Sequence, residues 1–320
     1  MVGAKQHPAF FQGASPLQIM NLPQEFISTI QNTFSEDGRT WLVALPDLID
    51  EASRRWHLTD IQPIANLSYN FVAFARRSNE DVVLKIGVPN RELTSEMSAL
   101  RFFEGQSAVR LLEVDEEHAM FLLERLRPGE MLATLSDDEQ ATNIAADVMQ
   151  KLWRKAPANI PFIKLTDWFD GLRELRPAFD GGTGPFPEKL ILKVEETLPG
   201  LFVESNPPML IHGDLHHFNI LSSADQWLAI DPKGVIGNPE YEIGPLLINP
   251  WPNFLNGSNP NVQTKKRIAI LSERLGFPRQ RLLDWGLCHA VLSAWWHMSP
   301  DGSGGEYSMA CAELFYGLKL

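Results

Sequence analysis

His212-Gly213-Asp214-Leu215-His216-His217-Phe218-Asn219 is the densest polar stretch of the chain, set among the apolar strand-like segments Met209-Leu210-Ile211-His212 and Asn219-Ile220-Leu221. Twelve positions after Asn219, Asp231 ends a further apolar run, Trp227-Leu228-Ala229-Ile230. A loop carboxylate, an amide five positions on and a second carboxylate closing a hairpin together suit phosphoryl transfer. Asp214 would orient an attacking hydroxyl and accept its proton. The oxygens of Asn219 and Asp231 would hold Mg²⁺ against nucleotide phosphates, because hard divalent cations take oxygen ligands.

Such a set is useless without a cation for the phosphates, and the sequence upstream supplies one. Lys85 lies on Asp81-Val82-Val83-Leu84-Lys85-Ile86, the third of three strand-like segments that follow a helical region from Leu22 to about His57. In that region apolar residues recur at helical spacing, and Pro46 is read as opening its second segment. Asn70–Arg76 is the strand before Lys85's, joined to it by the turn Ser78–Asp81. Glu96, on the helical stretch Glu92–Phe103, is placed to pair with Lys85 and fix its ammonium toward the α- and β-phosphates. Val109–Val114 and Ala119–Glu124 complete a mostly antiparallel sheet. Past Arg127-Pro128-Gly129 the pattern becomes helical, with Asp137–Arg154 at a 3.6-residue period under a Ser136 cap, Glu188–Leu198, and helix again from about Lys265. Each polar residue alone has an ordinary reading as turn chemistry or solvated surface. Their order is what carries the argument: strand Lys, helix Glu, His-x-Asp-x-x-x-x-Asn, hairpin, Asp.

Composition agrees. The chain has 320 residues, 44% of them hydrophobic, with 28 Lys+Arg against 40 Asp+Glu and a net charge of −12. That length predicts two domains or one bilobal one. The acidity argues against nucleic-acid or anionic-membrane partners, which need a basic face. Two cysteines, Cys288 and Cys311, form no disulfide framework and no zinc spacing, which fits a reducing compartment. No apolar run reaches the about 18 residues of a membrane span. The start lacks a signal-peptide core, and Met20-Asn21-Leu22-Pro23 is the more natural beginning, so residues 1–20 are read as an extension or tag-like segment. A cytoplasmic protein, monomer or homodimer, is expected.

On these residues the chain resembles the aminoglycoside phosphotransferases, and within them the streptomycin 6-kinase and hydroxyurea-resistance kinase branch. The strongest matches are Val109–Leu112, Leu122-Leu123-Glu124-Arg125-Leu126, His212–Leu221 and Trp227–Gly237, with Asp-Pro-x-Gly in place of Asp-Phe-Gly. The resemblance implies an α+β, bilobal protein-kinase-like fold, with an N-lobe over 21–126 and a mainly helical C-lobe over 127–320. It implies ATP and Mg²⁺ as cofactors. It assigns Asp214 as catalytic base, Asn219 and Asp231 as metal ligands, and Lys85 and Glu96 as the phosphate-binding pair. The carbonyl of Glu124 and the N–H of Leu126 would meet adenine, and His212 would brace the catalytic loop.

Two departures stand out. The loop Ala65–Asn70 contains no glycine, so Ser68 or Asn70 side chains would have to replace the backbone N–H groups of a glycine-rich phosphate cover. Lys233 follows Asp231 where protein kinases carry an apolar residue. A small cationic acceptor is expected to meet Glu240, Glu242, Asp284 and Trp285, through charge pairing and cation–π contact. Core packing is the competing reading for the tryptophans, and ordering of the segment after the metal site is the competing reading for Glu242. Another metabolite as acceptor (an amino alcohol, a sugar, hydroxyurea) and a silent nucleotide-binding regulator are the rival functions.

Overall fold

The computed structural model describes residues 22–157, 162–203, 208–299 and 302–320, and the expected extension over 1–20 lies outside the described residues. The chain divides into two compact units: one up to Pro89 with Glu113–Leu123, the other Asn90–Leu112 with Glu124–Leu320.

The first unit begins with α1 (Gln24–Trp56), which buries Phe26, Ile30, Trp41 and Leu45. The second helical start expected at Pro46 does not occur. Pro46 lies inside the helix, and the break falls at Ser35, with φ 51° and ψ −120°. Loss of one N–H donor at Pro46 leaves only the carbonyl four residues earlier without its helical partner, and the helix runs through it. A sheet follows, built from β1 (Leu58–Pro63), β2 (Asn70–Arg77), β3 (Glu80–Gly87) and, beyond α2 (Arg91–Phe103), β4 (Leu111–Asp115) and β5 (Met120–Glu124). Its order is β1-β2-β3-β5-β4. β1–β2 and β2–β3 are antiparallel, the latter in unbroken register from Asn70↔Gly87 to Arg77↔Glu80. Alternation does what it should: Phe71, Ala73 and Ala75 on β2 and Val82, Leu84 and Ile86 on β3 are buried.

The helix α2 belongs to the second unit, although the expected N-lobe of 21–126 included it. Its packing gives the reason. Ala99 and Phe103 join the core that runs through the second unit, and Ser95 Oγ donates to the Gly234 carbonyl at 2.7 Å. Gly234 sits at φ +64°, and a Cβ there would come within 2.7 Å of the Ser95 carbonyl oxygen. Helix and loop therefore approach as closely as glycine permits.

The second unit continues with β6 (Pro128–Met131), α3 (Asp138–Leu152), β7 (Arg154–Lys155), β8 (Ile163–Lys164), α4 (Leu165–Asp170), α5 (Leu175–Ala178) and α6 (Glu188–Leu201). The cap of α3 is Asp137 and not the expected Ser136: its Oδ1 accepts from the N–H groups of Glu139 and Gln140, both at 3.0 Å. Next come β9 (Met209–Ile211), β10 (Ile220–Ser223), β11 (Gln226–Ala229) and β12 (Val235–Gly237), which form two small sheets of order β11-β10-β6 and β7-β9-β12-β8. The helical remainder begins earlier than expected, with α7 (Ile243–Leu247), α8 (Asn253–Asn256), α9 (Pro260–Leu275), α10 (Arg279–Trp296) and α11 (Glu306–Gly317). Among the described residues no helix is long and apolar enough to cross a membrane.

Candidate active site

The loop from β9 to β10 and the loop from β11 to β12 bring Asp214, Asn219 and Asp231 into one hydrogen-bonded frame. His212 is fully buried. Its Nε2 donates to the Ile230 carbonyl at 2.8 Å, and its Nδ1 accepts the Asp214 N–H at 3.2 Å. This arrangement requires a neutral ring, and burial drives the His212 pKa down to about 4. The His212 carbonyl accepts from Lys233 N–H at 2.7 Å, so the same residue ties the two loops on both of its sides.

Asn219 closes the loop on itself. Its Nδ2 donates to the Asp214 carbonyl at 2.9 Å, which leaves the amide oxygen for other use. Its own carbonyl accepts the Ile230 N–H at 2.9 Å, one residue before Asp231. Asp231 holds φ 58°, a left-handed backbone conformation that aspartate tolerates better than most residues. The Asp214 carboxylate is 37% exposed, with His216 Nε2 3.7 Å from its Oδ1. Asn219 and Asp231 are half-buried, and the Asp214 carboxylate reaches solvent.

A second carboxylate holds the frame from below. Glu242 Oε2 accepts the His212 N–H at 2.7 Å and Oε1 accepts the Gly213 N–H at 2.8 Å. Glu242 is wholly buried, and burial raises its pKa to about 7 against the opposite pull of those two donors. It therefore fixes the catalytic loop and has no surface to offer an acceptor. Glu240 is also buried, bonded to Arg281 Nε at 3.0 Å. Trp285 is 0% exposed among Phe169, Phe202 and Tyr241, at ring-centroid distances of 5.5–5.8 Å. Loop bracing for Glu242, an ion pair for Glu240 and core packing for Trp285 occupy these three expected acceptor contacts. Asp284, half-buried near the start of α10, accepts from Gln280 Nε2 at 2.9 Å.

Two supports were not legible in the sequence. Arg267 on α9 is 0% exposed, yet it donates to the carbonyls of Leu246 (3.2 Å) and Asn249 (2.6 Å) and pairs with Asp138 at the start of α3. Its Nη2 lies 3.4 Å from His217 Nε2 in the catalytic loop, and its guanidinium stacks over Phe254 at 5.2 Å. His217 is thereby kept neutral, its pKa held low by burial first and by the Arg267 charge second. Trp168 on α4 is the other support. Its ring tip abuts Gly213, where a Cβ would lie 2.9 Å from Cη2. Gly213 at φ +89° is thus required twice, by its backbone and by its neighbour.

In the first unit, Lys85 stands opposite Val72 on β2, only 2% exposed, with Nζ 5.5 Å from the Phe121 ring centroid. Ser68 is exposed in the β1–β2 connection. In the second unit, Glu96 is buried on α2 and Leu126 is 8% exposed. Glu124, at the end of β5, donates its N–H to the Arg110 carbonyl at 3.0 Å and accepts the Arg110 N–H on Oε1 at 2.8 Å.

The oxygen donors Asn219 and Asp231, tied through Ile230, have the hard-ligand chemistry that Mg²⁺ requires. Within the second unit, a solvent-reaching carboxylate at Asp214 stands on the same loop as the Asn219 amide, with the Asp231 carboxylate one residue beyond the Ile230 bond.

Comparison with known proteins agrees. A family described as aminoglycoside/hydroxyurea antibiotic resistance kinase matches residues 55–302. A streptomycin 6-kinase of Streptomyces glaucescens is 30% identical over 90% of this chain and 94% of its own length. A hydroxyurea phosphotransferase of Kitasatospora aureofaciens is 28% identical over 93% of this chain and 87% of its own. Among solved structures, a choline kinase from Streptococcus pneumoniae superposes with a TM-score of 0.61 at 13% identity, over 85% of this chain and 97% of the other, which shows the fold alone.

Proposed function

Because the chain belongs to the aminoglycoside/hydroxyurea antibiotic resistance kinase family, we propose that it moves the γ-phosphoryl group of ATP to a hydroxyl of a small cationic molecule, first of all an aminoglycoside of streptomycin type. The observation that carries this reading is the frame around Asp214. An exposed carboxylate stands on a loop whose backbone is held by His212, Asn219 and Glu242. A base held that firmly meets an incoming hydroxyl without reorganising, which is where positioning contributes most to phosphoryl transfer.

In this scheme the acceptor hydroxyl donates a hydrogen bond to Asp214 and loses its proton to it as the new O–P bond forms. The bond from the γ-phosphorus to the bridging oxygen breaks, and ADP leaves. Asn219 and Asp231 would hold Mg²⁺, which when bound neutralises charge on the phosphates. Lys85 is assigned to the α- and β-phosphates and Glu96 to Lys85, while Glu124 and Leu126 are assigned to adenine through their backbone groups. In the glycine-free loop, the Ser68 or Asn70 side chain is assigned to bond phosphate in place of backbone N–H groups.

A screen of Mg²⁺-dependent ATP consumption across aminoglycosides, amino alcohols, sugars and hydroxyurea tests this. Turnover with streptomycin is expected. Turnover confined to a neutral acceptor would replace the cationic reading, and hydroxyurea is the leading alternative because one relative carries that activity in its name. Tight ATP binding with no turnover of anything would overturn the enzyme reading.

A further inference from the structure

We propose that Trp168 and Trp296 form the wall on which the charged group of a cationic acceptor rests while its hydroxyl meets Asp214. This rests on the kinase reading above and names how the site selects its substrate class. Trp168 stands one residue from the base: its ring tip lies against Gly213, which immediately precedes Asp214. The ring is half-buried and backed by the fully buried Tyr241, with centroids 6.1 Å apart. Trp296, the last residue of α10, meets Trp168 edge-on, at 5.3 Å between centroids and 83° between planes. It is 47% exposed.

A lone exposed tryptophan on a surface is ordinary. One that corners a second indole touching the catalytic loop is placed. The two indoles stand nearly at right angles, and the face of an indole is the strongest side-chain π surface for a cation. Asp167, the carboxylate next to Trp168, is paired with Arg91 at 3.3 Å, while the rings offer a cation their π surface. A guanidinium or ammonium group on an aminocyclitol has the required chemistry, and a neutral acceptor gains little from such a wall.

The test uses Trp296→Leu, which keeps apolar bulk without a π face, and Trp296→Phe, which keeps a face. Trp296 is exposed at a helix end, so neither change empties the core. With streptomycin as the probe, Trp296→Leu is expected to raise the acceptor KM about tenfold, leave the ATP KM unchanged, and be largely rescued in Trp296→Phe. An unchanged acceptor KM in Trp296→Leu overturns the proposal. Titration calorimetry with streptomycin in the absence of nucleotide separates this inference from the activity it rests on. If no acceptor is phosphorylated, the kinase reading fails, yet a tenfold loss of affinity in Trp296→Leu still supports the wall. Equal affinity in both proteins, or no binding to either, overturns it.

Discussion

The two units hold the side chains proposed for phosphoryl transfer by opposite means. Lys85 is placed by regular structure: a strand in unbroken register with its neighbour carries it, and the ladder alone fixes where its Cα lies. Asp214 is placed by irregular structure, on a loop whose backbone groups are bound by its own His212 and Asn219 side chains and by Glu242, 30 residues from His212. A ladder spreads its support over many equivalent bonds, so a single substitution removes little of it. A braced loop concentrates support in a few buried polar groups, and losing one leaves its partners unsatisfied. The second unit should therefore be the more brittle.

The sharpest contrast is chemical. Asp214→Ala is expected to lower kcat at least ~10³-fold with an unchanged melting temperature, the scale on which positioned and electrostatic groups operate. A variant that retains turnover with its true acceptor would remove Asp214 from the mechanism. Lys85→Ala follows, with an expected loss of about 10²-fold in kcat/KM for ATP, because a charge on the phosphates is removed and the sheet remains. Normal ATP kinetics there would break the assignment of the first unit.

Glu242→Gln tests the brace itself. The amide turns an NH₂ toward one of two backbone N–H donors, which should cost about 1–3 kcal/mol in denaturant unfolding. Substitution of a residue on the ladder, such as Val72→Ala, is the comparison, and equal losses of cooperativity in both units would dissolve the contrast.

The smallest effect is in pH. In the second unit, His212 and His289 are buried neutral with pKa values near 4, and His217 is also held low. Unfolding lets these rings take protons below their ordinary 6.5, so their stabilisation is present above about 6.5 and is lost as pH falls toward 4. Glu242 opposes them. Its raised pKa of about 7 means the folded state holds a proton that the unfolded one releases, so its contribution fades as pH rises through 7. Three rings outweigh one carboxyl, and stability of this unit should fall between pH 6.5 and 4.5. In the first unit the sign reverses: the hydrogen bond that the His118 ring donates to Asp115 raises the His118 pKa, so that pair weakens as pH rises through the raised value. Urea melts followed by hydrogen exchange in each unit at pH 5 and pH 8 would show whether the two respond in opposite directions.

What sequence revealed follows the same division. Strand alternation placed Lys85, and the fixed spacing of His212 to Asn219 with Asp231 marked the frame, because both are local patterns. Glu242, Arg267 and Trp168 act across 30 to 50 positions, counted from His212, His217 and Gly213 respectively, and nothing beside them announces it. Arg267 follows Lys265 and Lys266 and reads as one more solvated helix charge. Only burial at 0% beside Asp138 distinguishes it. Trp285 misled for the converse reason: a tryptophan near a carboxylate looks like a cation site, and the helix turns it into the core.

The bond between Ser95 and Gly234 spans 139 residues, and this sets a timetable for the growing chain. The helix Arg91–Phe103 emerges from the ribosome long before the loop on which it packs. At roughly 5–20 residues per second, Ser95 and Ala99 wait about 7–30 s for the Gly234 backbone that packs on them.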